Sequence, residues 1–415
     1  MTEIANTPEL RFPNYENSWF SYKLNNISER VTRKNKNLES QRPLTISGQL
    51  GLIDQIEYFN KSVSSKNLTG YTLIKKGEFA YNKSYSNGYP LGAIKKLERY
   101  DLGILSSLYI CFSFDENIDK SFMKNYFEST KWYREVANIA VEGARNHGLL
   151  NIPVNDFFNI NINLPIQYEQ EKIGEFFSKL DRQIELEEQK LAKLEEQKKG
   201  YMQQIFSQEL RFKDEDGNIY PDWKEYVLGE TGNTYSGLSS KTKEDFGYGN
   251  SYFITYMNVF KNTIAKANMI EKVNIQENEK QNKVNYKDIL FTTSSEVPEE
   301  TGMSSIWLYK ESNVYLNSFC FGFRVTCDDI EPIYLTRFLR SEKMRKQITI
   351  LSQGSTRFNI SKKEAMKLKI DVPNLEEQTK IVNFLSKYDS LIESQSNKID
   401  LLKERKKGFL QKMFV

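Results

Sequence analysis

The segment Leu164 to Phe206, LPIQYEQEKIGEFFSKLDRQIELEEQKLAKLEEQKKGYMQQIF, returns as Val372 to Phe414, VPNLEEQTKIVNFLSKYDSLIESQSNKIDLLKERKKGFLQKMF, at a constant offset of 208 residues and without a gap. Pro165 pairs with Pro373, Gln170 with Gln378, and Lys198-Lys199-Gly200 with Lys406-Lys407-Gly408. A repeat of this length defines architecture before local propensity is consulted. In the first copy Ile173, Phe177, Leu180, Ile184, Glu187, Leu191, Leu194, Lys198, Tyr201 and Ile205 keep a strict 4-3 spacing. The second copy gives Ile381, Leu385, Tyr388, Ile392, Gln395, Ile399, Leu402, Lys406, Phe409 and Met413. This is the spacing of a coiled-coil seam, with polar interruptions at the same two places in each copy. Pro165 and Pro373 set the helix starts, and Asn374 followed by Glu377 has capping-box spacing, with Asn in place of Ser or Thr.

A helix from Glu169 to Phe206 is about 57 Å long at 1.5 Å per residue, too long to be held by one small domain. Two repeats related by a pseudo-twofold axis would pair these helices antiparallel, with a globular unit near each end, as in a dumbbell. The alternative is that each helix packs separately on its own globular domain.

A second repeat opens each half. Glu9-Leu10-Arg11-Phe12 recurs as Glu209-Leu210-Arg211-Phe212, and Trp19 with Leu24 recurs as Trp223 with Leu228. Between openers and helices lie two aromatic-rich stretches, roughly residues 25 to 163 and 229 to 371, that are scarcely alike. The expected domains are therefore 1–163, the first long helix 164–206, a second globular domain 207–371 and the second long helix 372–415. The runs Ser107 to Phe114 and Ser318 to Val325 read as strands, Asn87-Gly88 and Asp216-Gly217 as turns, and Asp119 to Val136 and Pro332 to Ile350 as short helices. The fold class expected is α/β or α+β in each half.

Length and composition agree. A chain of 415 residues favours at least two folded units. Hydrophobic residues make up 39%, including 26 Phe and 24 Tyr, which is enough to build real cores. The 58 Lys and Arg against 55 Asp and Glu leave +3, so any basic surface must be local. Cys111, Cys320 and Cys327 show no C-x-x-C spacing and read as buried thiols in a reducing compartment. The polar start of the chain lacks the features of a secretory signal, and no apolar run approaches the roughly 20 residues that span a bilayer. A cytoplasmic, soluble protein without membrane contact is expected.

The duplicated order of opener, P-x-x-x-E-Q-x-K-I helix start and G-x-x-R-x-N-I segment resembles the specificity subunits of Type I restriction-modification systems over essentially the whole chain. The resemblance implies that each unlike stretch is a target recognition domain reading one half of a bipartite site in double-stranded DNA. It also implies that the helices set the spacing and dock two modification (methyltransferase) subunits, with restriction (motor-nuclease) subunits added. S-adenosylmethionine, ATP and Mg²⁺ then belong to those partners, and this chain binds no cofactor directly. Phe176 and Leu186, off the seam, are candidate contacts for partners.

Candidate DNA-reading residues lie in matched segments. Arg357, with Ser355 and Thr356 beside it, leads, because arginine makes paired hydrogen bonds to guanine or bridges phosphates. The first half offers Arg145, Asn146 and His147 in a stretch three residues longer, so Arg145 matches Arg357 less securely. A structural arginine bonding a nearby carbonyl or carboxylate is the alternative at both places. Tyr81, Lys83 and Ser84 follow one expected strand and Thr292, Thr293 and Ser294 another, and either set could be an ordinary polar turn. The tracts Arg30 to Lys36 and Ser239 to Lys243 could neutralise phosphate or simply be solvated.

Enzymatic chemistry finds little material. His147 is the sole histidine, which denies a His-based metal site its ligands. There is no amino-methyltransferase tetrapeptide and no G-x-x-x-x-G-K-S/T phosphate loop. Asp181, Glu188 and Lys190, like Asp400, Glu404 and Lys406, imitate nuclease spacing but fall on the long helices. No catalytic or metal residue is assigned. The competing reading is a coiled-coil scaffold that binds proteins without reading DNA, distinguished by whether Arg357 and Arg145 lie exposed on a basic surface.

Overall fold

Each opener becomes a strand that pairs antiparallel with the strand leading into a long helix. Phe20–Lys23 pairs with Asn161–Leu164, Phe20 opposite Leu164, and Lys224–Val227 pairs with Lys369–Val372, Lys224 opposite Val372. The computed structural model describes residues 6–61, 63–86, 88–140 and 150–415. The chain divides into two compact units, Met1–Gln189 with Ser396–Val415, and Lys190–Gln395. The division falls inside the long helices, so each unit holds a part of both.

The two repeated motifs meet in each unit through the same ion pair. Arg11 of the first opener donates to Glu169 with Nε at 2.7 Å and Nη2 at 2.8 Å, and its Nη2 also reaches the Asn17 carbonyl at 2.7 Å. Arg211 of the second opener holds Glu377 at 2.9 Å through both nitrogens and adds the carbonyls of Tyr220 and Pro221. The next residue of each helix fastens the globular part: the Gln170 Oε1 accepts from the Asp119 amide at 3.1 Å, and the Gln378 Oε1 from the Glu331 amide at 2.8 Å. Those amides stand at the N-caps of Lys120–Glu128 and Pro332–Leu339. The repeated Glu-Gln pair therefore ties the opener, the long helix and a short helix of the globular part into one frame.

The long helices run Gln167–Phe206 and Leu375–Lys412. The Asn374 side chain caps the Glu377 amide at 2.9 Å, while the Glu377 carboxylate serves Arg211 and the Trp223 indole, so only half of the expected capping box forms. Every residue assigned to the seam is buried or half-buried. Within the first unit the helix segments run antiparallel, with Phe176 against Phe409 at 5.1 Å and Phe177 stacked on Phe414 at 5.7 Å. Within the second, Tyr201 meets Phe384 at 5.1 Å and Tyr388 at 5.5 Å. The polar seam residues are matched too. Lys406 pairs with Asp181 at 2.6 Å in the first unit and Lys198 with Asp389 at 2.5 Å in the second. Buried Arg337 shares Asp389 at 2.6 Å, which compensates a guanidinium that is only 1% exposed. Phe176 packs edge-on against Phe12 and Phe409 and is half-buried, whereas Leu186 is 49% exposed.

The unlike stretches share one sheet. In the first unit it is antiparallel with the order Ser28–Arg30, Ile110–Phe114, Phe79–Asn82, Ala93–Lys96. In the second the order is Gly232–Ser236, Cys320–Val325, Ile289–Thr292, Ser304–Ile306, again antiparallel. The second unit adds a three-stranded sheet in which Phe246–Ile254 pairs parallel with Val314–Leu316. The strands expected at 107–114 and 318–325 are thus present in shorter form. Each expected short helix is broken in two. Lys120–Glu128 ends where the Ser129 hydroxyl and the Trp132 indole satisfy the carbonyls of Tyr126 and Phe127, and Tyr133–Ile139 begins anew. Pro332–Leu339 gives way to Glu342–Leu351, whose N-cap Ser341 accepts from the Met344 amide.

Cores of both units join sheet to helix. Phe79, Phe112, Phe122, Tyr126 and Trp132 bury with Ile173, Phe177 and Phe414 in the first. Phe291, Phe321, Phe323, Tyr334 and Phe338 bury with Phe206, Ile381 and Leu385 in the second. Among the described residues no helix is long and apolar enough to cross a membrane.

Candidate nucleic-acid interface

In the second unit the strand Ile289–Thr292 runs into Ser294–Ser295, which pairs antiparallel with Phe358–Asn359. Gln353 and Asn359 exchange backbone hydrogen bonds at 2.9 and 2.8 Å, closing a tight loop. Gly354 sits in that loop at φ 140°, where a Cβ would lie 2.1 Å from the Arg357 carbonyl oxygen, so only glycine fits. Buried Ile360 anchors the loop by donating its amide to the Thr293 carbonyl at 2.9 Å. The consequence is a fixed display of Ser355, Thr356 and Arg357, all exposed.

Arg357 donates from Nε to the Ser294 Oγ at 3.2 Å and lies 5.7 Å from the centre of the Phe319 ring. Among the described residues no carboxylate is ion-paired with it, which leaves its outer nitrogens available. Tyr256 supports the strand from behind, its hydroxyl donating to the Ser294 carbonyl at 2.5 Å, and burial raises that hydroxyl's pKa so that it stays a neutral donor. Arg340 and Arg345 brace the neighbouring loops. Arg340 reaches the carbonyls of Val259, Phe260 and Asn262 at 3.0 Å each, and Arg345 those of Glu299 at 2.8 Å and Gly302 at 3.1 Å. Burial, and for Arg340 the adjacent Arg345 charge, brings both guanidinium groups down to about 10. Their work is to position these loops.

Several expected contacts are not at the surface. Thr292 is fully buried as the last residue of its strand, its Oγ1 accepting from the Met303 amide at 3.0 Å. Ser294 is 3% exposed and serves Arg357, while Thr293 is half-exposed and spends its hydroxyl on the Phe319 carbonyl at 2.8 Å. In the first unit Tyr81 is a core residue: its ring stacks on Phe157 at 5.0 Å and its hydroxyl donates to the Leu91 carbonyl at 2.7 Å. The strand simply continues one pair further than the polar run suggested. Lys83 and Ser84 are half-exposed at its end, where the Leu150 amide donates to the Lys83 carbonyl at 2.8 Å, as Ile360 does to Thr293. Arg145, Asn146 and His147 lie outside the described residues.

The basic tracts are partly consumed internally. Arg33 makes two 2.8 Å hydrogen bonds to Glu78, and Lys241, only 5% exposed, pairs with Glu279 at 2.6 Å. The nuclease-like spacings dissolve into helix ion pairs, Asp181 with Lys124 and Lys406, and Glu188 with Lys403. Among the described residues no cluster of His, Cys, Asp and Glu has metal-binding geometry. Cys111 and Cys320 are buried as expected, whereas Cys327 is half-buried. Phe319, Tyr256, Arg340 and Arg345 are the residues that sequence reading missed. Only Phe319 left a sequence signal, an aromatic between two turn residues and a strand.

Residues 220–404 match the family model of the Type I restriction modification DNA specificity domain. The chain is 28% identical over 216 residues to the putative type I restriction enzyme MjaX specificity subunit of Methanocaldococcus jannaschii, covering 51% of this chain and 50% of that one. It is 24% identical over 335 residues to the type I restriction enzyme MjaVIII specificity subunit of the same organism, covering 74% and 69%. The match thus spans about half the length of the first relative and more of the second. The fold is shared with a chain solved in work on complex assembly and conformational transition of the type I R-M system, with TM-score 0.57, 19% identity and coverage of 97% and 98%. It is shared also with the S subunit of a Type-I restriction-modification system from M. genitalium, with TM-score 0.52, 16% identity and 99% coverage of both. A DNA specificity domain over residues 220–404 weighs against a scaffold that binds proteins alone.

Proposed function

The chain belongs to the family of Type I restriction-modification specificity subunits, and from that premise we propose that it reads a bipartite DNA site, one unlike half-site per unit, and carries no chemistry itself. The observation that carries this reading is the combination of a repeated frame with unlike loops. The same Arg–Glu clamp and the same four-stranded sheet recur, while the segments at the strand ends are unlike, Lys83 standing in the first unit where Thr293 stands in the second. A frame preserved twice around different displays is what two independent readers need.

In the second unit Arg357 is the reading residue. Its free nitrogens can form paired bonds to the O6 and N7 of a guanine, while Ser355 and Thr356 offer hydroxyls to phosphate oxygens or base edges. In the first unit Lys83 and Ser84, at the strand end that corresponds to Thr293 and Ser294, offer a cation and a hydroxyl to phosphate oxygens or base edges. Separate methyltransferase subunits using S-adenosylmethionine complete the modification enzyme, and ATP- and Mg²⁺-dependent motor-nuclease subunits complete restriction. Leu186 on the first long helix is available to such partners.

The test is genome-wide mapping of methylated adenines in cells that coexpress this chain with its modification subunit, against cells lacking the chain. A bipartite motif with an unread gap, appearing only with the chain, supports the reading. An assembled, S-adenosylmethionine-supplied complex that methylates no such motif overturns it.

A further inference from the structure

The turn that precedes the long central strand has the same construction in both units. In the second, the Phe319 amide donates to the Asn317 side chain at 2.8 Å and the Cys320 amide to the Asn317 carbonyl at 3.0 Å. In the first, the Leu108 amide donates to the Ser106 hydroxyl at 3.4 Å and the Tyr109 amide to the Ser106 carbonyl at 3.2 Å. Strand register gives the same equivalence, since Tyr81 faces Ile110 and Phe291 faces Phe321, which sets Leu108 against Phe319. Both tip residues are large, apolar and exposed, Phe319 at 56% and Leu108 at 60%.

We infer that Phe319 and Leu108 are specificity-determining residues, each making an apolar contact to bases of its own half-site; this rests on the DNA-reading function proposed above. Phe319 is held rigidly for such a task. Its carbonyl accepts both the amide and the hydroxyl of Thr293, at 3.0 and 2.8 Å, and the next residue, Cys320, is buried. A rigid aromatic presents contact area at little entropic cost. The Arg357 guanidinium carbon lies 5.7 Å from the centre of this ring, within cation–π range, so the cation and the exposed aromatic are presented side by side. An arginine so held suits the paired acceptors of guanine, and a ring beside it suits the C5-methyl of a neighbouring thymine. Leu108 offers the same apolar contact without the cation. One position on a shared turn thus carries different side chains where the two half-sites must differ.

The experiment maps methylation by the complete modification complex carrying wild-type chain, Phe319→Ala, Leu108→Ala or Arg357→Ala, with unfolding midpoints measured for each. Phe319→Ala should lose about tenfold in preference at one or two adjacent base pairs of the half-site that Arg357→Ala also relaxes. Leu108→Ala should do so in the other half-site only. Wild-type preference in Phe319→Ala and Leu108→Ala, with Arg357→Ala impaired, would overturn the inference and leave the reading of DNA standing. A uniform fall in methylation with unchanged preference would overturn it as well. Absence of any bipartite motif from the wild-type complex would overturn both.

Discussion

Arg211 holds Glu377 through two parallel hydrogen bonds of 2.9 Å, joining an opener to a helix start 166 residues further along the chain. The Glu377 side chain is fully buried, and the interaction with its carboxylate raises the Arg211 pKa still further. Removing one partner leaves the other charge in a dry site, so Glu377→Ala should cost on the order of 3–5 kcal/mol in denaturant unfolding. Arg211→Met with Glu377→Leu should cost much less than the sum of the single changes. Equal losses that simply add would show that the clamp is not a coupled pair.

Phe414, near the end of the second helix, is buried against Trp19, Phe122, Tyr126 and Phe177. Phe414→Ala should therefore destabilise by about 3–5 kcal/mol, as large core deletions do. Thermal unfolding checks this, and an unchanged midpoint would contradict the packing described.

Arg357 and Tyr81 separate recognition from stability. Arg357→Ala removes an exposed side chain and should leave unfolding unchanged while weakening one half-site by about 1–3 kcal/mol in DNA binding by the assembled complex. Tyr81→Phe removes a buried hydroxyl bonded to Leu91 and should cost about 1 kcal/mol of stability with sequence preference unaltered.

Burial, reinforced by the nearby Glu78, pushes the Cys111 thiol from 9.0 up to about 12. The unfolded chain loses this proton at lower pH than the folded chain, so the contribution is complete below pH 9.0 and falls as pH rises toward about 12. Burial moves Tyr126 in the same direction. Denaturant midpoints should drop between pH 8 and pH 11, less steeply in Cys111→Ala. In native protein at pH 8, iodoacetamide should label half-buried Cys327 and spare Cys111 and Cys320, as read by peptide mass spectrometry.

The frame was legible because helix burial follows a period that sequence prints directly, and all the assigned seam positions turned inward. The clamp was legible in principle, since a repeated arginine and a repeated glutamate invite pairing, yet nothing local says they meet. Reading failed where tertiary partners decide. Tyr81 and Thr292 look like polar strand ends, but one more residue of sheet turns each into the core. Arg33 and Lys241 look like phosphate ligands until Glu78 and Glu279 arrive from distant segments. The short helices broke at Ser129 and Ser341 because a serine hydroxyl can satisfy backbone groups that a longer helix would have paired.

If two independent readers share one duplicated frame, exchanging one reader should alter one half-site alone. The insert 25–163 would be replaced by that of a relative, keeping the opener, both long helices and the residues that pack on Phe414, and the methylated motif would be mapped. One half of the motif should change while the other half stays as it was. A motif in which both halves change, or neither does, in a complex shown to assemble and methylate would contradict that independence.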